Sequence, residues 1–455
     1  MEYSLEKIAQ IVGGDLSNPQ NSQITDVTFD GRTAKPGTLF IPITWGNDGH
    51  NFIQGAIDNG ATATLWAEDH LETKPQDFPV ILVKDTLKAF QQLAQAYLKS
   101  VAPKVIAVSG SNGKTTTKDF IAAIASTTFQ TVKTPKNFNN ELGVPLTILG
   151  MPSDTEVLVI ELGMDHPHDL DVLSKLVNPD IAILTMIGEA HIEFFKTRAR
   201  IADGKMEIVN GLNQNGTLVY NGDEPLLIER ATHQSYQTKT FGLSEQNDLF
   251  ASEISLNAQH AHFKTNQFSE QFQIPLTGNY NVSNALAAIS VGQLLKIPVP
   301  SMQTALQKTM ITENRTEWLT GNFDGQILSD VYNSNPTAVR EVLKSFASIQ
   351  KTGKKIIVLG DMLELGAAGP KLHAELAPDI IAAKPDAVYL VGPIMQNLAK
   401  AILQQAPDMH LQTFSEADMN QLILDLQNQL NPHDQILLKA SHGLHLERIV
   451  TALTD

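Results

Sequence analysis

The sequence predicts an α/β protein in three parts: a small N-terminal α/β module, a central doubly wound, mostly parallel sheet around a phosphate loop, and a C-terminal Rossmann-like α/β domain. From about residue 104 onward, short apolar runs alternate with segments of helical spacing, which is how parallel strands and their crossover helices read. Those runs, among them Val105–Val108, Val157–Ile160, Ile181–Leu184, Thr217–Tyr220, Lys355–Leu359 and Gln435–Lys439, lead into polar or glycine residues. Ligands of open α/β sheets sit at such carboxyl ends. The length sets the number of parts: 455 residues exceed what one hydrophobic core organises, and the pattern divides at 1–102, 103–313 and 314–455.

Composition narrows the function. Forty-nine Asp and Glu against 33 Lys and Arg give a net charge of −16, the opposite of a nucleic-acid footprint, so no nucleic-acid partner is expected. A local basic pocket for a small anionic substrate remains compatible with that balance. The chain has no cysteine, which removes disulfides and thiolate chemistry. Its first residues, MEYSLEKIAQIVGG, read as a polar amphipathic helix and not a secretory signal. No apolar run approaches the roughly 18 residues that span a bilayer. A cytoplasmic monomer without membrane insertion is the expectation.

In the first unit a short helix leads to Ile24–Val27, then Asp30-Gly31-Arg32, then a Lys35-Pro36-Gly37 turn between two strands. Gly46 to His50 follows, ahead of a helix carrying Phe52, Ile53, Ala56 and Ile57. By themselves Asp30, Arg32, Asp48 and His50 read as turn chemistry.

The second unit opens on VIAVSGSNGKTTT, residues 105–117. An apolar strand runs into Gly110, Ser111, Asn112, Gly113, Lys114, Thr115 and Thr116, and helical spacing through Phe120, Ile121 and Ile124 follows. Strand, glycine loop and helix together suit a phosphate: backbone N–H groups and the positive helix end hold its oxygens, lysine bridges them, and a threonine hydroxyl ligates Mg²⁺. Val108 stands where the longer phosphate-loop pattern has its first glycine, so only the Gly-x-x-Gly-Lys-Thr form is present. Glu161, His191 and Asn221 also follow apolar strands. Singly each is an ordinary loop residue; beside Lys114 they mark a site. The third unit repeats the alternation without a Gly-x-Gly-x-x-Gly turn, so it is expected to carry a second substrate and close on the nucleotide.

Taken together these residues resemble the Mur ligases, ATP-dependent amide-bond ligases of peptidoglycan precursor synthesis. Ser109–Thr116 looks like their ATP loop and PKNFNNELGVP, residues 135–145, like their second motif. Glu161-Leu162-Gly163-Met164, His191, ADGKMEI (202–208) and YNVSNA (280–285) continue in the same order. The third unit adds NRTEW (314–318), DVYNSNP (330–336) and GDMLELG (360–366), of which the last two look like the branch that adds D-alanyl-D-alanine. Two positions depart from the pattern. Gly31 stands where serine is usual, and KASHG (439–443) replaces a Lys-Gly-Ser-Arg form.

The resemblance implies ligation of D-alanyl-D-alanine to UDP-N-acetylmuramoyl-tripeptide through an acyl-phosphate, with ATP and Mg²⁺. It implies catalytic roles for Lys114, His191 and Lys205, and metal ligation by Thr115, Glu161, His191 and a carbamylated Lys205. Asn281, Asn284, Arg315 and Asp330 would complete the ATP site. Asp30, Arg32, Asp48 and His50 would hold the uridine nucleotide, and Asn333, Asn335 and Ser441 the dipeptide. Plain alternatives stay open: helix capping for Asn281, a turn around Pro336 for the two asparagines, a surface ion pair of Lys205 with Asp203 or Glu207, and a hydrogen-bonded strand-end histidine. So do another Mur-type or folylpolyglutamate-type ligase, and a P-loop kinase or nucleotide-binding module that makes no amide bond.

Overall fold

The computed structural model describes residues 1–454 other than 233, 311, 313 and 314. Asn314 of the NRTEW segment therefore lies outside the described residues. The chain builds three main sheets, each with helices packed on it, and the predicted α/β class is the one observed.

The first sheet runs in the order Asp15–Ser17, Val80–Val83, Ala63–Ala67, Thr38–Phe40, Asp26–Thr28, parallel except at its Asp15–Ser17 edge. The central sheet has nine strands: Thr131–Lys133, Val157–Glu161, Lys104–Ser109, Ile181–Leu184, Thr217–Asn221, Gln237–Gly242, Leu249–Leu256, Ala261–Thr265 and Phe272–Ile274. Lys104–Ser109 lies between Val157–Glu161 and Ile181–Leu184, and the strand order reverses there. That is the switch point where crossover helices diverge and leave a crevice for a ligand.

The sequence pattern did not disclose that the last two strands are antiparallel. No crossover helix separates Leu249–Leu256 from Ala261–Thr265. The chain reverses instead at Asn257, whose Oδ1 accepts the N–H groups of Gln259 and His260 at 2.9 and 2.8 Å. The third sheet runs Glu317–Thr320, Gln326–Asp330, Gln435–Lys439, Lys355–Gly360, Ala387–Val391, Leu411–Phe414, parallel after its first pair.

The junctions between units differ in kind. Helix Thr86–Val101 starts at Asp85, whose carboxylate accepts the Lys88 N–H at 3.0 Å, and its apolar face holds Phe90, Leu93, Ala94 and Leu98. These side chains belong to one apolar cluster with Val144, Ile148 and Leu149 of helix Gly143–Leu149 and with Leu170 and Leu173 of helix Asp169–Val177. Each buried Phe or Leu there contributes about 1.5–3 kcal/mol. The third unit has its own apolar clusters, and Ile192 alone of the central unit's described residues packs against them. Polar contacts cross the rest of that junction. No helix among the described residues is long and apolar enough to cross a membrane.

Candidate active site

The phosphate loop follows strand Lys104–Ser109 and ends in helix Lys114–Ala125. Gly110 and Gly113 have φ of 145° and 83°, which glycine adopts without steric cost. A Cβ on Gly110 would lie 1.9 Å from Thr185 Oγ1, and one on Gly113 2.4 Å from Asn284 Oδ1. Lys114 Nζ folds back and donates to Gly110 O at 2.9 Å. Burial holds its amine below the ordinary lysine range, Glu161 opposes that shift, and Arg315 adds to it.

Thr115 donates its hydroxyl to Glu161 Oε2 at 2.9 Å, and Asn139 Nδ2 donates to Glu161 Oε1 at 2.7 Å. Glu161 is 1% exposed. Hydroxyl and carboxylate oxygens side by side at the switch point are the hard donors that Mg²⁺ prefers, so the residues present fit that ion. His191 begins helix Ile192–Phe195 at a φ of 63°. Its Nδ1 lies 2.6 Å from Glu364 Oε2, off the line of a good N–H···O bond, and 3.5 Å from Asp165 Oδ1. The contact with His191 holds the Glu364 carboxyl below its ordinary range. Lys205, on helix Arg198–Met206, is 1% exposed. Burial first, and the Lys114 charge second, hold its amine well below the ordinary lysine value. Asp203 pairs with Arg230 instead, at 2.7 Å, and Glu207 receives the backbone N–H groups of His168 and Asp171. The surface ion pair considered for Lys205 is therefore not formed.

Helix Asn279–Leu294 lays Asn284 against the loop at Gly113, with Asn281 one turn before it. Asn281 Nδ2 donates to Thr277 O at 2.8 Å, and its Oδ1 accepts from Asn284 Nδ2 at 3.2 Å. The Arg315 guanidinium lies 3.9 Å over the Tyr332 ring, and its buried Nε has no hydrogen-bond partner among the described residues. His442, at the departing KASHG segment, stacks on the same ring at 5.6 Å. Asp330 Oδ2 accepts from the buried Lys439 amine at 2.6 Å, and Lys439 also donates to Asn333 O at 2.8 Å.

Asn335 is the N-cap of helix Pro336–Ser348, so the plain alternative of backbone chemistry around Pro336 is realised in part. Asn333 Oδ1 accepts the neighbouring Ser334 N–H at 2.8 Å. Ser441 Oγ accepts the Leu363 N–H at 2.9 Å and pins the GDMLELG turn.

In the first unit Asp30 accepts the Arg32 N–H at 3.0 Å and pairs with its guanidinium at 2.8 Å. Gly31 fits close under Ala56, whose N would lie 3.1 Å from an added Cβ, which gives the departure from serine a packing reason. Asp48 meets His50 Nδ1 at 2.7 Å and His70 Nε2 at 3.0 Å, and the two rings stack 3.9 Å apart with a 6° tilt. His50 Nε2 also accepts the Ala67 N–H at 3.3 Å. Because His50 Nε2 accepts that N–H, a neutral His50 ring carries its proton on Nδ1, facing Asp48. These four residues stand apart from the phosphate loop, on the first sheet's turns.

Sequence reading missed Asn139, Asp165, Glu189, Tyr332 and Glu364 as members of the site. Asn139, Tyr332 and Glu364 were inside quoted segments, where position in a loop gives no direction for a side chain. Glu189 is 6% exposed and accepts Thr337 N–H at 3.0 Å across the junction, a contact no local pattern discloses.

Comparison with known proteins finds relatives along the whole chain. Residues 108–292 match the Mur ligase middle domain and residues 314–442 the Mur ligase, glutamate ligase domain. The chain is 39% identical, over 100% of its length and 99% of the relative's, to the UDP-N-acetylmuramoyl-tripeptide--D-alanyl-D-alanine ligase of Bacillus subtilis. It is 30% identical to the Escherichia coli ligase of the same name, over 100% and 99% of the two chains. The crystal structure of MurF from Acinetobacter baumannii superposes with a TM-score of 0.89 at 29% identity, covering 99% of this chain and 98% of that one. MurF ligase from Thermotoga maritima in complex with ADP gives 0.82 at 27% identity, over 94% and 96%. By sequence and by fold, the chain belongs to the Mur ligase family, in the branch of the UDP-N-acetylmuramoyl-tripeptide--D-alanyl-D-alanine ligases.

Proposed function

We propose that this protein joins D-alanyl-D-alanine to UDP-N-acetylmuramoyl-tripeptide at the expense of ATP, giving the UDP-pentapeptide precursor. The observation that carries the reading is full-length identity of 39% to a ligase of that name. The convergence of Lys114, Glu161, His191 and Lys205 on the central switch point supplies its chemistry. In the reaction the tripeptide carboxylate attacks the γ-phosphorus of ATP and ADP leaves. The dipeptide amine then attacks the acyl carbon, and phosphate leaves.

Two anions must meet, so the site has to gather positive charge where the phosphoryl group transfers. Lys114, now spent on Gly110 O, has its amine free for phosphate oxygens once ATP displaces that bond. Arg315, with its unpartnered Nε, is a second phosphate ligand from the third unit. Thr115 and Glu161 would hold Mg²⁺, which when bound neutralises phosphate charge. His191 and Lys205 would hold a second ion. An unmodified ammonium at Lys205 would repel it. Burial favours the neutral amine, and that is the form which adds carbon dioxide to become an anionic carbamate. Asn281 and Asn284 are assigned to adenine, and Asp330 to ribose once Lys439 shares it. Asp30, Arg32, Asp48 and His50 are assigned to the uridine nucleotide, and Asn333, Asn335 and Ser441 to the dipeptide side. The units at 1–102, 103–313 and 314–455 would then carry uridine nucleotide, ATP and dipeptide in that order. We further propose that the enzyme acts as a monomer in the cytoplasm.

The test is phosphate release from Mg-ATP with UDP-N-acetylmuramoyl-tripeptide, with and without D-alanyl-D-alanine. Release that needs both, with the pentapeptide identified by mass, is the expected result. Release with another amino acid, or with no acceptor, overturns the assignment of substrate.

A further inference from the structure

Asn335 and Glu189 stand on opposite sides of the junction between the central and third units. Asn335 is fully buried, at 0% exposure. Its Oδ1 accepts the Ala338 N–H at 3.0 Å, capping helix Pro336–Ser348, and also accepts Asn112 Nδ2 at 3.2 Å. Its Nδ2 donates back to Asn112 Oδ1 at 2.8 Å. Glu189 takes the second residue of the same helix, accepting the Thr337 N–H at 3.0 Å and the Thr337 hydroxyl at 2.8 Å. Between them a Cβ on Gly188 would lie 3.3 Å from Asn112 Nδ2 and 3.4 Å from Asn335 Oδ1, so a side chain there would press on the pair.

Asn112 sits within the phosphate loop, between Ser111 and Gly113. The third unit therefore rests its helix N-terminus on the loop itself. A carboxylate at a helix N-terminus is favourably placed, and a buried reciprocal amide pair is stable only when both partners are present. Half-made, it would leave amide groups dry and unpaired, so the contact forms and breaks as a whole. The first unit, in contrast, shares a continuous apolar cluster with the central one. Polar junctions of this kind belong to units that move.

We infer that Asn335 and Glu189 are positioning residues which seat the third unit on the phosphate loop, so that docking of the acceptor-bearing unit and the working shape of the ATP loop are one event. The inference rests on the ligase reading above.

The test uses the absence of native cysteine. Spin labels on Glu229→Cys and Gln404→Cys, both exposed and on different units, report their separation in the full-length protein with a non-hydrolysable ATP analogue and Mg²⁺. Asn335→Ser keeps a capping hydroxyl but cannot reach Asn112, and Glu189→Gln keeps the shape without the charge. The background protein is expected to give one distance population. Each variant is expected to add a longer one, with kcat lowered on the order of 10²-fold. KM for the tripeptide nucleotide is expected to stay within about twofold, since ground-state binding of that substrate is not touched. An unchanged distance distribution in both variants overturns the inference. A fall in kcat with no longer population does the same, and assigns Asn335 to the dipeptide alone. If the background protein makes no pentapeptide, the ligase reading is what fails; the distances need no acceptor and still decide the seating.

Discussion

Lys205 is an amine placed where an ammonium is costly. Burial and Lys114 hold it well below the ordinary lysine value, so the unfolded chain binds a proton there more readily than the native chain does. Stability then rises with pH up to the unfolded value of about 10.4, and the native state carries the cost at neutral pH. Lys205→Met is therefore expected to raise Tm at pH 7 by about 2 °C or more, a gain that shrinks as pH approaches the lysine range. Ligation should fall by on the order of 10²-fold or more. A calorimetric scan beside a phosphate-release assay reads both, and a lowered Tm would refute the argument.

His70 works with the opposite sign. Its bond to Asp69, then the charge of Asp48, raises its pKa, so its contribution is complete below pH 6.5 and is lost as pH climbs through the raised value. His70→Asn should lower the urea midpoint more at pH 5.5 than at pH 8.5. Equal losses at the two pH values would discard the ion-pair account.

Helix Pro336–Ser348 shows how an element is tied at both ends. Asn335 caps its start, and at its end the buried Lys355 amine donates to Phe346 O at 2.7 Å, Ala347 O at 3.0 Å and Ile349 O at 2.6 Å. A cation there satisfies the last carbonyls and complements the helix dipole. Lys355→Met is expected to cost roughly 1–3 kcal/mol, visible as an earlier denaturation midpoint, because it leaves those carbonyls buried and unpaired.

Helix Lys114–Ala125 is tethered in a different way. Asp119, 1% exposed, accepts from Lys133 Nζ at 2.6 Å and from the N–H and hydroxyl of Thr312 at 3.1 and 2.8 Å. The phosphate-loop helix was legible as a whole, because strand, glycines, lysine and helical spacing are all local signals. Asp119 was not, since its partners come from 14 and 193 residues away. Asn335 makes the same point from the other side. Asn-Pro announces a helix start or a turn in sequence, but the amide facing Asn112 lies across a boundary that spacing cannot see.

At the scale of the molecule, the three-part α/β organisation was readable from alternating apolar runs, whereas the antiparallel end of the central sheet was not. It lacks the helix-spaced segment that marks a crossover, and Asn257 replaces it with a tight turn. The two junctions predict how the protein melts. A shared apolar cluster couples the first unit to the central one, while the third keeps separate cores. Calorimetry without ligand is expected to resolve two transitions, one for the first and central units and one for the third. ADP with Mg²⁺ should raise both if nucleotide bridges the polar junction. A single ligand-independent transition would contradict that division.

The two glycines of the phosphate loop bear on how the protein could be inhibited. Any side chain at Gly110 or Gly113 would collide with Thr185 or Asn284, and both residues hold φ values that other amino acids rarely adopt. A compound that bonds the loop's backbone at these positions leaves few escapes by single substitution. Changes that exclude the drug there would first destroy the loop. Selection for resistance would be pushed to residues outside the loop, and a compound whose contacts are confined to its backbone should be slow to lose its effect.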